Sequence, residues 1–510
     1  MFITRWLLPL LRCSPRSGFI AILMFVVFTF LLTAYLYSGS AMSLSEHYKQ
    51  SRGQEVQADL SQRQLPPHSH VDRQEDWFAG QWNQRRKQHR RKDNSRLWDQ
   101  LNTPKMQQVQ NVISLMSKLK SSNETTTLGI QKEELRAKIR LLREAMTSRQ
   151  TMLPTPATPP ACVGSLQPGE VEDLLCIPRP KFLSHIKNPC WYTENPVEPS
   201  GKSLQCLPYF HVLGCAKSGT TDLWNRLMSH PHTVSNDGLL HKEALWWSWY
   251  RYGMSGYNRN RPVQNFSQYV NLFQDTARQI QSSIDRETLF HQILITGDAS
   301  PPDFWDFRGW VNISQNRQHT VPRLITPHLM RHIYANPKFI IIFRDPIDRL
   351  YSDYFFVGLG LTAQDFHNDI LASVEMLAKC VEQRGLQSCF HDNELYIKLP
   401  VRLPFACYSV FMREWLQVFP LENFHFIKTE EYENNLEETL KSVMEFLGLG
   451  PLRETQLQVI AEEERSRVTL QRKIAGPMKN ATRDILEELL TACNTELVRL
   501  VGSDKFTWGR

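Results

Sequence analysis

The 510-residue chain has little of several features that mark particular protein classes. Its ten cysteines are too few for a small disulfide-stapled protein, so each has to be interpreted by its position. The formal net charge of +7 is modest and does not indicate nucleic acid as a partner, although it suits an anionic substrate. No group of His, Cys and Asp residues has a convincing metal-ligand spacing, so we expect no metal. The hydrophobic content of 41% still provides for a sizeable core.

An uncharged apolar run over residues 19–37 is long enough to span a bilayer. Three arginines precede it and no basic cluster follows it directly, so the positive-inside rule places residues 1–18 in the cytoplasm. A cleaved signal peptide is the alternative, but its apolar region would be only about 7–15 residues long and would end in an A-x-A-like site. The sequence therefore favours an uncleaved type II signal-anchor, with the remaining chain in an oxidising lumen.

N-glycosylation sequons agree with a luminal body. The chain has four N-x-[ST] triplets, at Asn123, Asn265, Asn312 and Asn480. Because such triplets often arise by chance, they support the luminal placement without establishing it.

Residues 38–161 are polar and rich in Gln, and we interpret them as a luminal stem. A basic cluster at residues 85–92 contacts either a polyanionic glycan or, as the sequence favours, only solvent. A Pro-rich linker at residues 154–160 ends the stem. The globular domain is therefore predicted to span residues 162–510.

Two helical patterns lie within the stem. In the first, at residues 106–116, the apolar residues share one face. In the second, apolar residues repeat at heptad-like spacing, at Leu135, Ile139, Leu142 and Met146. This repeat is typical of an amphipathic stalk helix. A short coiled coil that joins two chains as a homodimer is the alternative, although the repeat covers fewer than three heptads.

The central motif of the chain is an apolar run, residues 210–213, that leads into the small-residue turn 214–221 and then into a helical pattern. A strand, a turn and a helix N-terminus together bind phosphate, because free backbone N–H groups and the positive end of the helix dipole converge on the turn. Lys217 precedes Ser218 and Gly219, whereas a Walker A loop has its Lys after the second Gly, so this is not a Walker-type loop. The loop alone does not exclude an ordinary βα turn.

The clearest strand of the chain, Lys338–Phe343, runs directly into Arg344. Pro346 suits the first turn of a following helix, and Ser352 lies about two helical turns beyond Arg344. A guanidinium and a hydroxyl can together hold a phosphate, and helix capping with surface ion pairs is the alternative.

Two further segments suggest a cleft. A buried strand predicted at residues 292–296 ends in the polar turn 297–301, at the sheet edge where α/β proteins bind ligands. His241, Lys242 and Glu243 precede a pair of tryptophans and either line that cleft or form a surface ion pair. The mixture of buried strands and helices predicts an α/β fold with a mainly parallel sheet.

The cysteines of the globular part are expected to form mostly disulfides. Cys380 and Cys389 are close in sequence and are expected to pair, which closes a short loop. Four others are expected to tie down the segment that precedes the central motif: Cys162, Cys176, Cys190 and Cys206. Cys407, Cys493 and Cys215 remain, and because nine luminal cysteines cannot all pair within one chain, Cys215 is the candidate free thiol.

Two spaced signals, K-S-G-T-T after one strand and R-D-P-x-x-R-x-x-S after another, resemble the Golgi carbohydrate sulfotransferases. Further matches across residues 185–510 are most similar to the branch that sulfates C6 of N-acetylgalactosamine 4-sulfate in chondroitin and dermatan sulfate. The resemblance implies a P-loop-like sulfotransferase domain, the donor 3′-phosphoadenosine 5′-phosphosulfate (PAPS), a sulfated glycosaminoglycan acceptor, and a Golgi membrane location.

The resemblance also implies roles for individual residues. The 5′-phosphosulfate would be held by the loop residues Lys217, Ser218, Gly219, Thr220 and Thr221. The 3′-phosphate would be held by Arg344 and Ser352, and a segment that begins with Arg472 and Lys473 would close over the nucleotide.

The acceptor side departs from the family pattern. Lys242 and Glu243 match the start of K-E-P-H, whose Glu is the catalytic base, but Ala244 and Leu245 replace the Pro and His. His241 is a fallback base, and an anionic acceptor could be contacted by Arg251, Arg259 and Arg261. The alternatives are a sulfotransferase for another glycan or for a protein, and a catalytically silent membrane protein that binds sulfated glycan.

Overall fold

The computed structural model describes residues 126–148, 161–164, 170–198, 200–256, 260–463 and 470–509. The predicted signal-anchor, the basic cluster, the first helical pattern, the Pro-rich linker and Asn123 lie outside these residues. Within the described ranges, no helix is both long enough and apolar enough to cross a membrane.

The strands of the described chain form two sheets. The small one is an antiparallel hairpin, and the large one is a parallel sheet of five strands in the order β4-β5-β3-β6-β7. The strands are β1 (Cys190–Glu194), β2 (Lys202–Cys206), β3 (Phe210–Gly214), β4 (Thr233–Val234), β5 (Ile295–Asp298), β6 (Lys338–Phe343) and β7 (Phe424–Lys428). The predicted α/β class with a mainly parallel sheet is confirmed.

Helices surround the parallel sheet. In the described residues they are α1 (Thr126–Thr147), α2 (Thr220–Met228), α3 (Phe266–Asn271), α4 (Gln274–Asp285), α5 (Thr326–Ile333), α6 (Pro346–Phe356), α7 (Ala363–Arg384), α8 (Leu386–Phe390), α9 (Asn393–Lys398), α10 (Tyr408–Leu416), α11 (Thr429–Asn434), α12 (Leu436–Phe446), α13 (Glu454–Ala461), α14 (Leu470–Ala475) and α15 (Asn480–Val501).

Strand β6 forms the middle of the core because it is apolar on both faces, as strands of covered parallel sheets are. Phe339, Ile341 and Phe343 pack into one hydrophobic cluster, and Ile340 and Ile342 pack into another. Successive side chains of a strand point to opposite faces, so these two clusters are the two sides of the sheet. A helical layer therefore covers each face.

The order of the strands creates a crevice between β3 and β6. From β3 the chain continues to β4, on one side of the sheet, whereas from β6 it continues to β7, on the other side. The connections after these two neighbouring strands thus leave in opposite directions. In open α/β sheets ligands bind at the carboxyl ends of the strands at such a switch point.

Two elements differ from what the sequence predicts. Strand β5 covers Ile295–Asp298 and not residues 292–296, because Leu289–Gln292 forms a 3₁₀ turn ahead of it. Helix α1 contains the predicted heptad-like repeat, but its face is not that of an isolated stalk. Ile139, Leu142 and Met146 are buried against α7 and α15, so the chain's own helices cover this apolar face.

Four disulfides secure the described domain. They join Cys162 to Cys176, Cys190 to Cys206, Cys380 to Cys389, and Cys407 to Cys493. Cys215 is the free cysteine of the described residues and is buried. Its burial raises the pKa of the thiol far above its usual value, which does not favour a nucleophilic role.

Candidate active site

The loop after β3 has the geometry of an anion-binding turn. Residues 215–219 connect β3 to α2, and Lys217 (φ 68°) and Gly219 (φ 100°) both have left-handed backbone conformations. Gly219 is the N-cap of α2 and supplies no side-chain cap, so no side chain at that position competes for the first N–H groups of the helix. These N–H groups and the helix dipole favour a negatively charged ligand.

Hydrogen bonds tie this loop to the end of the neighbouring strand β6. The Thr429 hydroxyl lies 2.8 Å from the carbonyl oxygen of Ser218 and 3.0 Å from that of Phe343, and its one proton is shared between these two acceptors. Arg344 Nη1 donates to the carbonyl oxygen of Lys217 at 3.1 Å. The loop and the first residue after β6 are therefore held together across the switch point.

A second positive group lies beside Arg344. Burial lowers the pKa of the Arg472 guanidinium, and the positive charge of Arg344 lowers it further, so the two arginines are close. Arg472 stacks 5.9 Å from the ring centre of Tyr351, whose hydroxyl donates to the carbonyl oxygen of Gly476 at 3.0 Å. This contact holds the segment 472–476 against α6.

Helix α6 begins as the sequence predicts and carries Ser352. Pro346 is its first residue, and the Asp345 carboxylate caps it by accepting from the N–H of Ile347 at 2.8 Å. Ser352 is buried next to Tyr351 on this helix, whereas Lys473 is exposed. The structure thus brings Arg344 and Arg472 together beside the helix of Ser352 and leaves Lys473 at the surface.

Glu243 belongs to a largely buried ion pair. Lys242 Nζ lies 2.6 Å from Glu243 Oε1 and also donates to the carbonyl oxygen of Ala299 at 2.8 Å. The Lys242 side chain is 1% exposed and that of Glu243 is 14% exposed. The alternative considered from the sequence, an ion pair exposed at the surface, therefore does not describe Lys242 and Glu243. His241 lies on the turn just before it, with a left-handed φ of 53°.

A further carboxylate, that of Asp298, lies at the end of β5, and no role for it was predicted from the sequence. Asp298 is buried and accepts from the hydroxyl of Ser300 at 2.6 Å and from the N–H of Ala244 at 3.1 Å. Burial raises the pKa of Asp298 to about 6, and these hydrogen bonds oppose the increase. The polar turn at the strand end is the signal in the sequence that indicates this group.

The two halves of the site lie at the same edge of the sheet. Strand β5 pairs with β3, and Asp298 is the register partner of His211. The turn after β5 also packs against the start of the loop that follows β3, since a Cβ added at Gly214 would lie 3.0 Å from the Cβ of Phe304. Glu243, which lies on the segment between β4 and α3 and is bound to this turn through Lys242, is therefore held at the end of the strand next to the one that leads to Lys217.

The two described candidates among the acceptor arginines, Arg251 and Arg261, differ in their surroundings. Arg251 is buried, contacts the carbonyl oxygen of Glu172 at 3.1 Å and stacks on Trp246 and Tyr252, so the expectation that it contacts an acceptor is wrong. Two aromatic rings lie against the Arg251 guanidinium. No local pattern in the sequence indicates this burial. Arg261 is exposed and stacks 4.6 Å from the ring centre of Tyr250, and Arg259 lies outside the described residues.

The remaining predicted sites are placed as follows. Asn265, Asn312 and Asn480 are all exposed.

One group of three, Cys162, Asp173 and Cys176, has atoms close enough to share a metal ion. Its two cysteines are joined in a disulfide, so they offer no thiolates to a metal.

Comparison with known proteins agrees with this geometry. The sulfotransferase domain family matches residues 208–482, which begin just ahead of β3 and include the loop, Arg344 and Arg472. The chain belongs to the sulfotransferase family. Human carbohydrate sulfotransferase 15 is 30% identical in an alignment 375 residues long that covers 64% of this chain and 66% of that protein. The mouse protein of the same name is 31% identical over 376 residues, with the same coverage.

More distant sulfotransferases also match. The membrane-associated sulfotransferase kil1 of Dictyostelium discoideum is 23% identical over 64% of this chain and 72% of its own. The crystal structure of a sulfotransferase from Alicyclobacillus acidocaldarius aligns with 58% of this chain and 97% of its own at 20% identity, with a TM-score of 0.34. The assignment to the sulfotransferases made from the sequence is confirmed, and the similarity to carbohydrate sulfotransferase 15 agrees with the branch that the sequence resembles. The chain spans 66% of the length of the human and mouse relatives.

Proposed function

We propose that this sulfotransferase transfers sulfate from PAPS to a hydroxyl group of a glycosaminoglycan. The finer proposal is C6 of N-acetylgalactosamine 4-sulfate in chondroitin or dermatan sulfate. The observation that carries the proposal is the contact between Arg344 and Lys217 across the switch point. This contact joins the loop after β3 to the arginine at the end of β6, and both are suited to bind anions. PAPS likewise carries two anionic groups, the 5′-phosphosulfate and the 3′-phosphate.

The residues of the loop fit the 5′-phosphosulfate. Ser218 Oγ is buried and has no hydrogen-bond partner within the described chain. A buried hydroxyl without a partner is costly unless a ligand supplies one. Together with the first N–H groups of α2 and the Lys217 ammonium, it forms a set of donors for phosphate or sulfate oxygens. Thr220 and Thr221 open the same helix and complete this set.

The other end fits the 3′-phosphate. Arg344 and Arg472 repel each other electrostatically, and an anion between them would relieve that repulsion. Ser352 lies on the adjoining helix, and the segment with Arg472 and Lys473 lies over it, held through Tyr351. In this proposal these residues select a 3′-phosphorylated nucleotide.

The proposed reaction is an in-line displacement at sulfur. The acceptor oxygen forms a bond to sulfur as the bond from sulfur to the 5′-phosphate oxygen breaks, and 3′,5′-ADP is released. Glu243 accepts the proton of the acceptor hydroxyl, and Lys217 stabilises the negative charge that develops on the leaving oxygen. Lys242 keeps the Glu243 carboxylate in place through the 2.6 Å ion pair. His241 is the alternative base.

The compartment and topology are also proposals. A type II chain in the Golgi membrane would expose its catalytic domain to the lumen. Four disulfides and three exposed sequon asparagines support an oxidising, glycosylating compartment. Digestion with a peptide N-glycosidase should increase the electrophoretic mobility of the chain from cells, and an unchanged mobility would contradict the luminal placement.

An acceptor panel tests the proposed function. The full chain in detergent is incubated with labelled PAPS and chondroitin 4-sulfate, desulfated chondroitin, heparan sulfate or a tyrosine peptide, and the products are digested to disaccharides. We expect disulfated units from chondroitin 4-sulfate. Transfer to another acceptor alone would change the acceptor assignment. Binding of 3′,5′-ADP without any transfer would instead favour the silent glycan-binding alternative, which the Ala244 and Leu245 substitutions suggest.

A further inference from the structure

We infer that Asp298 and Ser300 are positioning residues for the base Glu243, because they hold the backbone that follows it through the N–H groups of Ala244 and Leu245. This inference rests on the proposed function. It deepens that function by explaining how the site works without the Pro and His that glycan sulfotransferases usually carry after the Glu.

The hydrogen bonds form a continuous clamp. Asp298 Oδ1 accepts from the N–H of Ala244 at 3.1 Å and from Ser300 Oγ at 2.6 Å. Ser300 Oγ in turn accepts from the N–H of Leu245 at 2.8 Å. A single carboxylate and a single hydroxyl thus determine the direction of two consecutive peptide groups immediately after Glu243.

The residue before Glu243 is fixed to the same strand end. The carbonyl oxygen of Lys242 accepts from the N–H of Ala299 at 3.0 Å. The Lys242 side chain also donates from Nζ to the carbonyl oxygen of Ala299 at 2.8 Å. Asn236 Nδ2 bridges the carbonyl oxygens of Lys242 and Gly297, at 2.9 and 2.8 Å. Glu243 is therefore held on both sides against the turn that follows β5.

All four groups of the clamp are buried, so water does not replace a lost contact. Asp298, Ser300, Ala244 and Leu245 are each buried, and Leu245 has a φ of 52°. A left-handed conformation is unfavourable for Leu, which has a branched side chain and no local hydrogen bond to compensate. The bond from its N–H to Ser300 is the contact that holds this conformation.

The clamp depends on the residue that departs from the family pattern. A proline at position 244 has no N–H and cannot donate to Asp298. The Pro of K-E-P-H restricts the backbone by its ring, whereas here an N–H and a buried carboxylate serve the same purpose. Ala244 is thus part of a different way to hold the base, and its presence does not imply a lost activity.

The position of the clamp relates the base to the donor site. Asp298 is the last residue of β5, and β5 pairs with β3, which leads to Lys217. The clamp therefore sets the position of Glu243 relative to the sheet that also carries the phosphate-binding loop. Displacement of a catalytic group by about 1 Å can reduce a rate by roughly 100-fold.

The test compares two buried serines of the same region. Ser300→Ala removes the acceptor of the Leu245 N–H, whereas Ser248→Ala removes an equally buried hydroxyl that donates to Asp303 at 2.6 Å and lies outside the clamp. We expect Ser300→Ala to lower kcat by about 10-fold or more, with the KM values for PAPS and for chondroitin 4-sulfate within about twofold. Ser248→Ala should keep kcat, and Ser300→Thr, which retains the hydroxyl, should restore most of it.

Three further variants cover the case in which the serine variants misfold, as judged by their melting temperatures. Asp298→Asn keeps an oxygen that can accept from Ala244 and Ser300 and should retain most of kcat, and Asp298→Ala should lose it. Ala244→Pro should lower kcat even though it restores the commoner residue. The inference is overturned if Ser300→Ala and Ser248→Ala give equal kcat values, if Ala244→Pro raises kcat, or if binding of 3′,5′-ADP falls in parallel with kcat. A wild-type chain that transfers no sulfate to any acceptor overturns the proposed function itself.

Discussion

Arg344 donates a hydrogen bond from Nη1 to the main-chain oxygen of Lys217 at 3.1 Å, and thereby joins the two strands of the switch point. The positive charge of the same guanidinium also acts on Arg472 and lowers the pKa of that residue. Arg344 consequently has two proposed roles. It holds the loop that binds the 5′-phosphosulfate, and it supplies positive charge to the 3′-phosphate.

Substitution of Arg344 should therefore weaken donor binding more than it affects the acceptor. We expect Arg344→Ala to raise the KM for PAPS by roughly 10- to 150-fold, because a hydrogen bond to a charged group contributes about 1.5–3 kcal/mol. Arg344→Lys should be intermediate, since an ammonium cannot form two parallel bonds to a phosphate. Calorimetric binding of 3′,5′-ADP measures the effect, with the exposed Arg278→Ala as the control. Equal affinities for Arg344→Ala and the control would exclude this role.

The free energy of unfolding should depend on pH because Asp298 is buried. Burial raises its pKa to about 6, above the usual value of 3.8, so the folded state binds the proton more tightly than the unfolded state. This group therefore favours folding most below pH 4, and its contribution falls by on the order of 3 kcal/mol as the pH rises through 6. The groups that face it are Glu243, Tyr269, Ser300 and Asp303.

Urea unfolding of the wild type and of Asp298→Asn at pH 4, 5, 6 and 7 measures this contribution. The stability of the wild type relative to the variant should decline from pH 4 to 7. The exposed Asp285→Asn should show no such trend relative to the wild type. A difference between the wild type and Asp298→Asn that does not change with pH would show that Asp298 titrates normally.

The disulfides should differ in their contributions to stability. Cys407–Cys493 closes a loop of 86 residues, and Cys380–Cys389 closes one of only 9. In the chain-entropy description, removal of the first costs about 4.6 kcal/mol and removal of the second about 2.6 kcal/mol. Paired Cys→Ala variants compared by melting temperature should show the larger decrease for positions 407 and 493, and the reverse order would contradict it.

Helix α1 should be required for a stable catalytic domain. Leu142 is buried among residues of the main core, and Arg413 Nη1 donates to the carbonyl oxygen of Ser148, just after the helix, at 3.1 Å. Leu142→Ala should cost about 2–5 kcal/mol of stability, and the exposed Arg136→Ala should cost almost nothing. A luminal fragment that begins at residue 120 should melt at a higher temperature than one that begins at residue 161. Equal melting temperatures would indicate that α1 is not part of the folded unit.

The sequence was sufficient to predict the donor side of the site because its signals are local. Strand β6 is apolar throughout and was predicted with its observed bounds, and the turn of small residues after β3 leads directly into α2. The position of the Arg344 guanidinium at the carboxyl end of β6 also follows directly from the sequence. The partner of that guanidinium, the oxygen of Lys217, is more than a hundred residues away and required the sheet order to be known.

The acceptor side could not be predicted to the same depth because its contacts are long-range. The oxygens of the buried Asp298 accept hydrogen bonds from Ala244, Ser300 and Tyr269, two of which are distant in sequence. Arg251 looks like a surface residue in the sequence, yet aromatic rings cover it in the fold. The docking of α1 likewise depends on apolar faces of α7 and α15, and both helices lie more than 200 residues away from α1 in the sequence.

The most direct test of the central claim is transfer of labelled sulfate from PAPS to chondroitin 4-sulfate by the wild type and by Lys217→Ala, measured side by side in a single turnover. Lys217 stabilises the leaving oxygen in this account, so its loss should lower the transfer rate by about 100-fold or more while the melting temperature stays close to that of the wild type. Disulfated disaccharides should form with the wild type. A Lys217→Ala variant that transfers sulfate at the wild-type rate would contradict the account.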